Sequence, residues 1–243
     1  MKKQKLHLSC RRIPAHLGDV VTPVSIYLKL RDIFPNTILL ESSDYHGGNN
    51  SLSFICFQPI ADFLVENETV KCHYPDCSTE KTELPEDKSV QTIMQDFINS
   101  FEISSEEKKK CPVPASGLYG YTAYDAVRYF EDLNLKTDPQ APHAVPDIRY
   151  HLYRSVIAFN HFTNQLYLVE HLLPGEESDI NNTLELLKNR SVPSFTFSPL
   201  EEEKSPINGD SYMEMVTRGK EHCYRGDVFQ IVLSRQFSFA FKG

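Results

Sequence analysis

Two long runs rich in strand-favouring residues, Ile148 to Phe159 and Gln165 to Leu173, flank the segment Asn160-His161-Phe162-Thr163-Asn164. Asparagine tolerates the backbone conformations of tight turns, so this stretch reads as a β-hairpin of two long strands. A hairpin of this length commits the chain to antiparallel pairing.

The segments upstream read as helices and further strands. Lys5 to Ile13 alternates loosely and predicts a first strand. Thr22 can cap a helix by accepting a backbone N–H, and Pro23 suits the first helical position, where its missing N–H would be unpaired anyway. Asp19 adds negative charge nearby. The helix is expected over Pro23 to Phe34, with Val24, Tyr27, Leu28, Leu30 and Phe34 gathered on one side and Pro35 ending it. Thr37 to Asp44 then passes from Thr-Ile-Leu-Leu into Glu-Ser-Ser-Asp, the pattern of a strand that ends at a surface or a pocket. Tyr45 to Asn50 reads as a turn; its Gly-Gly pair lacks the following Lys-Ser/Thr and the helix start of a phosphate cradle. Ser51 to Phe57 predicts a strand stopped by Pro59, and Ala61 to Tyr74 a strand pair turning at Glu66-Asn67-Glu68.

Pro75 to Lys88 is polar and reads as a surface loop, Val90 to Phe101 has helical apolar spacing, and Ser104 to Pro114 reads as a charged linker. From Gly117 to Glu131 a Gly- and Tyr-rich strand passes into a short helix, where Gly117 and Gly120 signal close backbone approach or a bulge. Pro139, Pro142 and Pro146 mark extended surface chain. Glu176 to Arg190 reads as a helix, and the Pro-, Ser- and Glu-rich stretch to Pro206 as a linker at a domain boundary. Beyond it, Ser211 and Glu214 have the spacing of a capping box for a helix to about Arg225, which Gly226-Asp227 breaks. Val228 to Phe237 is expected to be a strand too apolar for a sheet edge. No partner for it remains downstream, so the sequence is expected to stop inside a domain.

Composition narrows the function classes. With 243 residues and 40% apolar content the chain can build a packed core. The net charge of -8, with Lys108-Lys109-Lys110 set beside Glu106 and Glu107, argues against a nucleic-acid partner. The six cysteines, Cys10, Cys56, Cys72, Cys77, Cys111 and Cys223, lack zinc-ligand spacing; Cys72-His73 with Cys77 has no second pair, and free thiols are expected. His7, Ser9 and Arg11-Arg12 interrupt any signal-peptide apolar core, and no apolar run reaches the length of a membrane span. A cytoplasmic protein without membrane partners is the expectation.

Several separated stretches carry a family resemblance: Thr22-Pro23-Val24-Ser25-Ile26-Tyr27-Leu28-Lys29-Leu30, Leu39-Leu40-Glu41-Ser42, Ser53-Phe54-Ile55 with Pro59, Gly117 to Tyr129, and Gly226 to Phe237. In this order and spacing they resemble the N-terminal half of the anthranilate synthase component I family. The resemblance implies an α+β fold of sandwiched antiparallel sheets with flanking helices, truncated within the chorismate-binding domain. It divides the chain into an N-terminal regulatory domain over 1–195, a linker over 196–206 and an incomplete catalytic start over 207–243. It also implies the conversion of chorismate and glutamine-derived ammonia to anthranilate and pyruvate in tryptophan biosynthesis. A glutamine amidotransferase subunit, component II, would deliver the ammonia. Mg2+ would clamp the substrate carboxylate and be bound by the half that is missing, so no metal ligand is assigned.

Site residues follow from the same resemblance. Gln230 stands where related isochorismate-forming enzymes have a lysine; free ammonia needs no base, and a neutral glutamine can orient it by hydrogen bonding. Leu40, Glu41 and Ser42 match one wall of the tryptophan feedback pocket, which needs an acceptor for the ammonium and an apolar slot for the indole. Ser51 aligns where many members carry a basic residue, so the ligand carboxylate lacks that partner. Aminodeoxychorismate synthase component I and a non-catalytic tryptophan-binding module are the alternatives; the Thr22 to Leu30 stretch and the Leu-Leu-Glu-Ser segment favour anthranilate synthase over the former.

Overall fold

In this computed structural model, residues 3–14, 21–42, 51–84, 89–133, 145–189 and 194–243 are described. Two compact units emerge, Met1–Val192 and Pro193–Gly243. The expected turn at Tyr45 to Asn50, with Ser43, Asp44, Asp19, Pro139 and Pro142, lies outside the described residues.

The first unit is built on two long central strands, β3 (Leu52–Glu66) and β8 (Ile148–Asn160), paired antiparallel along most of their length. The predicted hairpin is present: β9 (Gln165–Leu172) returns along β8 from Ser155 to Asn160. Each central strand then serves two neighbours along one edge. β2 (Ile38–Leu40) pairs with the first part of β3 at Phe54–Cys56, and β4 (Thr69–His73) with its last part at Asp62–Glu66. β7 (Tyr119–Thr122) likewise takes Ile148–His151 of β8. With β5 (Thr79–Glu83), β1 (Gln4–Arg12) and β6 (Phe101–Ile103), the order is β5-β4-β3-β8-β9-β1-β6, with β2 and β7 off the path. The sheet is antiparallel except where β1 meets β6 in parallel. The class is therefore α+β, a mixed sheet with flanking helices and no closed barrel.

Helices close the faces. α1 (Pro23–Leu30) starts as predicted, with Thr22 Oγ1 accepting the Ser25 N–H at 3.1 Å and Ser25 Oγ accepting the Thr22 N–H at 2.9 Å. It ends at Leu30 rather than Phe34. Ile26 and Leu30 pack with Ile55, Phe57, Ile157 and Leu168 of the sheet and with α4 (Ile180–Lys188). α2 (Val90–Asn99) seats Phe97 against Phe63 and Tyr74 in a second cluster. Each such fully buried aromatic or aliphatic side chain stabilises the fold by roughly 1.5–3 kcal/mol.

Five expectations are corrected. Pro59 does not stop a strand, because β3 runs through it by means of a bulge: Gln58 takes φ of 60° and the register shifts between Pro59 and Ala61, where no ladder donor is needed. The loop expected over Pro75 to Lys88 contains β5, whose sequence Thr-Glu-Lys-Thr-Glu is polar because it is an exposed edge strand. Within the expected linker Ser104 to Pro114 lies α3 (Ser105–Lys110), capped by Ser104 Oγ, with glutamates in its first turn and lysines in its last, matching the helix dipole. The capping box at Ser211 and Glu214 is displaced: α5 (Gly209–Arg225) is capped by Asn208, which accepts the Ser211 N–H at 2.8 Å. Val228 to Phe237 forms no strand; among the described residues the second unit offers only β10 (Ser198–Pro199) paired with β11 (Phe241–Lys242) and a Lys204–Ser238 bridge, so these residues have no ladder to join.

The turn at Asn67 and Glu68 joins β3 to β4 as predicted, both residues having positive φ. Of the two glycines expected at close approach, Gly120 is one and Gly117 is not. A Cβ on Gly120 would lie 1.9 Å from the Arg149 carbonyl oxygen, whereas one on Gly117 would meet nothing within 4 Å.

His171 on β9 is fully buried, and its Nδ1–H donates to the Tyr153 carbonyl at 2.8 Å. Nε2 meets no hydrogen-bond partner among the described residues. Burial holds its pKa below the usual 6.5, although the bond to Tyr153 opposes this. The unfolded chain therefore binds a proton more readily, and this contribution to stability is present above pH 6.5 and lost as pH falls through the lowered value. Asp62, held below its usual 3.8 despite burial by His151 at 3.0 Å, then by Arg149 and His73, loses its contribution only at still lower pH. The urea midpoint should decline from pH 7 to 5, and His171→Asn, which keeps a donor for Tyr153, should flatten that decline. An unchanged slope would remove His171 as its source.

Candidate functional site

Where β2, β3 and the β8–β9 turn meet, a chain of polar groups assembles. β2 ends at Leu40, opposite Phe54, and Glu41 and Ser42 leave the sheet. The Ser42 N–H donates to Ser53 Oγ at 3.0 Å, and Ser51 Oγ donates to Ser42 Oγ at 3.3 Å. Ser53 Oγ stands 2.6 Å from Nε2 of His161, whose backbone N–H donates to the Ser51 carbonyl at 3.0 Å. The Phe159 ring backs the imidazole at 4.8 Å. Ser53 is fully buried, so its hydroxyl is a fixed acceptor for Ser42 rather than an accessible nucleophile. The arrangement holds the strand exit in one conformation and turns Leu40 and Glu41 outward, both exposed.

Ser42 and Ser51 are thus brought together, while Leu40 and Glu41 sit beside them on the exposed rim. Ser53 and His161 have no predicted role and yet connect the cluster. Alternation of Ser51 and Ser53 on one strand was the available signal for the first. His161 reaches the site only because Leu52 pairs with Asn160.

The Gly117 to Glu131 stretch is fixed by Asp147. Its carboxylate accepts from Arg128 at 2.6 Å and from the Tyr129 hydroxyl at 2.7 Å, anchoring the 3-10 helix Tyr124–Tyr129 to the start of β8. Burial and the Asp147 charge raise the Tyr129 pKa, keeping it a donor.

In the second unit, Gln230 is exposed on an extended segment running beside α5. Gly219 of α5 lets that segment approach: a Cβ there would lie 3.2 Å from Leu233 and 3.5 Å from Ile231. Tyr212 donates to the Leu233 carbonyl at 3.2 Å, and Arg235 Nε donates to the Ile207 carbonyl at 2.8 Å. Gly226, with φ of 77°, ends α5 in a left-handed cap, and the Asp227 N–H bonds the His222 carbonyl.

A family model described as chorismate binding enzyme matches residues 10–243. The chain belongs to the chorismate-binding enzyme family. This family member is 28% identical over 252 residues to an anthranilate synthase alpha subunit 2, chloroplastic, of Arabidopsis thaliana, a match covering 90% of the chain and 40% of the relative. It is 29% identical to anthranilate synthase component 1 of Pseudomonas putida, covering 93% of the chain and 47% of the relative. The crystal structure of anthranilate synthase component I from Streptococcus pneumoniae TIGR4 superposes with a TM-score of 0.54 at 22% identity, over 90% of this chain and 47% of that one, a likeness of fold. The chain spans about half the length of the curated relatives it matches.

Among the described residues, no group of three or more His, Cys, Asp or Glu side chains is arranged so that it could hold a metal ion. Among the same residues no helix is long and apolar enough to cross a membrane.

Proposed function

We propose that this chain is the N-terminal part of an anthranilate synthase component I, acting in the cytoplasm on chorismate with ammonia from a component II amidotransferase and inhibited by tryptophan. The observation that carries this reading is the alignment of nine-tenths of the chain with anthranilate synthases of a plant and of bacteria. Mg2+ would be held by carboxylates in the other half of the enzyme, where it supplies charge neutralisation at the substrate carboxylate. Because the chain covers about half of its relatives, the 243-residue chain purified alone is expected to form no anthranilate from chorismate, ammonium and Mg2+. Steady growth of anthranilate fluorescence would show a complete active site on this chain.

Within the intact enzyme, Leu40, Glu41 and Ser42 form one wall of the tryptophan site. Exposed Glu41 accepts the ligand ammonium, and Leu40 offers apolar surface to the indole. Ser51, mostly buried beneath Ser42, steadies that wall.

Gln230 orients ammonia through its side-chain amide, with Gly219 and Leu233 fixing the segment that carries it. Gln230→Lys in the intact enzyme puts a cation where neutral ammonia must sit, and should lower anthranilate kcat by about tenfold to a hundredfold with little change in chorismate KM. Unchanged turnover would leave Gln230 an ordinary surface residue.

A further inference from the structure

Cys10 on β1 and Cys111 at the end of α3 are 101 positions apart in sequence, yet their sulfurs stand 2.8 Å apart, each side chain half-buried. A disulfide needs the sulfurs about 0.8 Å closer than they stand here. We propose that Cys10 and Cys111 are a modification site, joined in a reversible disulfide by exchange with a small-molecule disulfide such as oxidised glutathione.

The two thiols are unequal. The Sγ–Sγ contact with Cys10 lowers the Cys111 pKa to about 7, with the Val113 N–H assisting against burial. The Cys10 thiol is pushed up, chiefly by its bond to Cys111 and then by burial. Cys111 is therefore the attacking thiolate. Its sulfur bonds one sulfur of the small disulfide, whose S–S bond breaks and releases one thiolate that takes up a proton. Cys10 then loses its proton to solvent and attacks the Cys111 sulfur, expelling the second small thiol. Two protein thiols are oxidised, and one disulfide is reduced to two thiols.

The other cysteines do not present this arrangement. Cys56 and Cys72 are buried, with thiols pushed up by desolvation, the latter to about 12; Cys77 and Cys223 lie on the surface. The new bond would tie β1 to the segment Cys111 to Ala115, which covers one face of the sheet through Val113 and Ala115.

The test uses the full chain with Cys77→Ser and Cys223→Ser, treated with oxidised glutathione and then alkylated. The expected result is loss of two hydrogens from the intact mass, one cross-linked peptide containing Cys10 and Cys111, and a Tm raised by roughly 10 °C and restored by dithiothreitol. Adding Cys10→Ser should leave glutathione trapped on Cys111. Peptide mapping of the unsubstituted chain gives the same answer without any variant. Alkylation of both Cys10 and Cys111 after treatment, or a stable glutathione adduct on Cys111 with Cys10 present, would overturn the proposal.

Discussion

Gly120→Ala should remove about 3–5 kcal/mol of folding stability, the cost of forcing an overpacked contact into a backbone that cannot yield. The new methyl would lie 1.9 Å from the Arg149 carbonyl oxygen and 2.7 Å from the Tyr150 Cα. Both are main-chain atoms of β8, and Gly120 is the registered partner of Tyr150, so relief requires β7 to leave the sheet. Detaching β7 also loosens the Ala123 N–H bond to the Asp147 carbonyl and the anchor of the 3-10 helix on Asp147. A domain of ordinary stability has only about 5–15 kcal/mol to lose, so much of the variant should be unfolded or aggregated at moderate temperature. Gly117→Ala, with open space around it, is the control and should change stability by less than about 0.5 kcal/mol. Urea titration of both variants checks this; equal midpoints would show that β7 is not held as described.

Ser42→Arg should raise the tryptophan concentration needed for half-inhibition of the intact enzyme by about thirtyfold, some 2 kcal/mol, while kcat and chorismate KM stay near their original values. The side chain at this position meets Ser51 Oγ, and its backbone N–H is fixed on Ser53. Arginine is too large for that contact and brings a cation beside the exposed Glu41, where it would compete with the proposed ligand's ammonium for the same carboxylate. The variant acts on the polar wall alone, so a feedback site elsewhere would leave inhibition intact. Inhibition curves for the two enzymes at fixed chorismate decide the matter.

Much of this architecture is readable from residues whose local preference agrees with their packing. The Thr22-Pro23 start of α1 and the Asn67-Glu68 turn are both set by neighbours within four positions, and local chemistry suffices for them. The bulge at Pro59 is different. Whether a proline ends a strand or sits in a bulge depends on which strand lies alongside, and β8 is about ninety residues away. β5 escapes notice for the opposite reason: an edge strand shows water both of its faces and carries no apolar alternation. Val228 to Phe237 has strong strand character but no neighbour to pair with in its unit, so propensity alone does not make a strand.

The candidate site divides along the same line. Glu41 and Ser42 stand out in sequence because a strand exits into acid and hydroxyl groups, whereas their assignment with Leu40 to a tryptophan wall rests on the family resemblance. The serine that holds Ser42 is hidden as an ordinary strand residue, and His161 comes from a turn remote in sequence. Contacts carried by long-range register are what the chain alone does not display.

The most direct measurement follows chorismate in the intact enzyme that carries this chain, supplied with ammonium and Mg2+, by anthranilate fluorescence and chromatography, with and without tryptophan. Equal amounts of anthranilate and pyruvate are expected, suppressed by tryptophan. Chorismate consumed to aminodeoxychorismate, with no anthranilate formed, would contradict the proposed function.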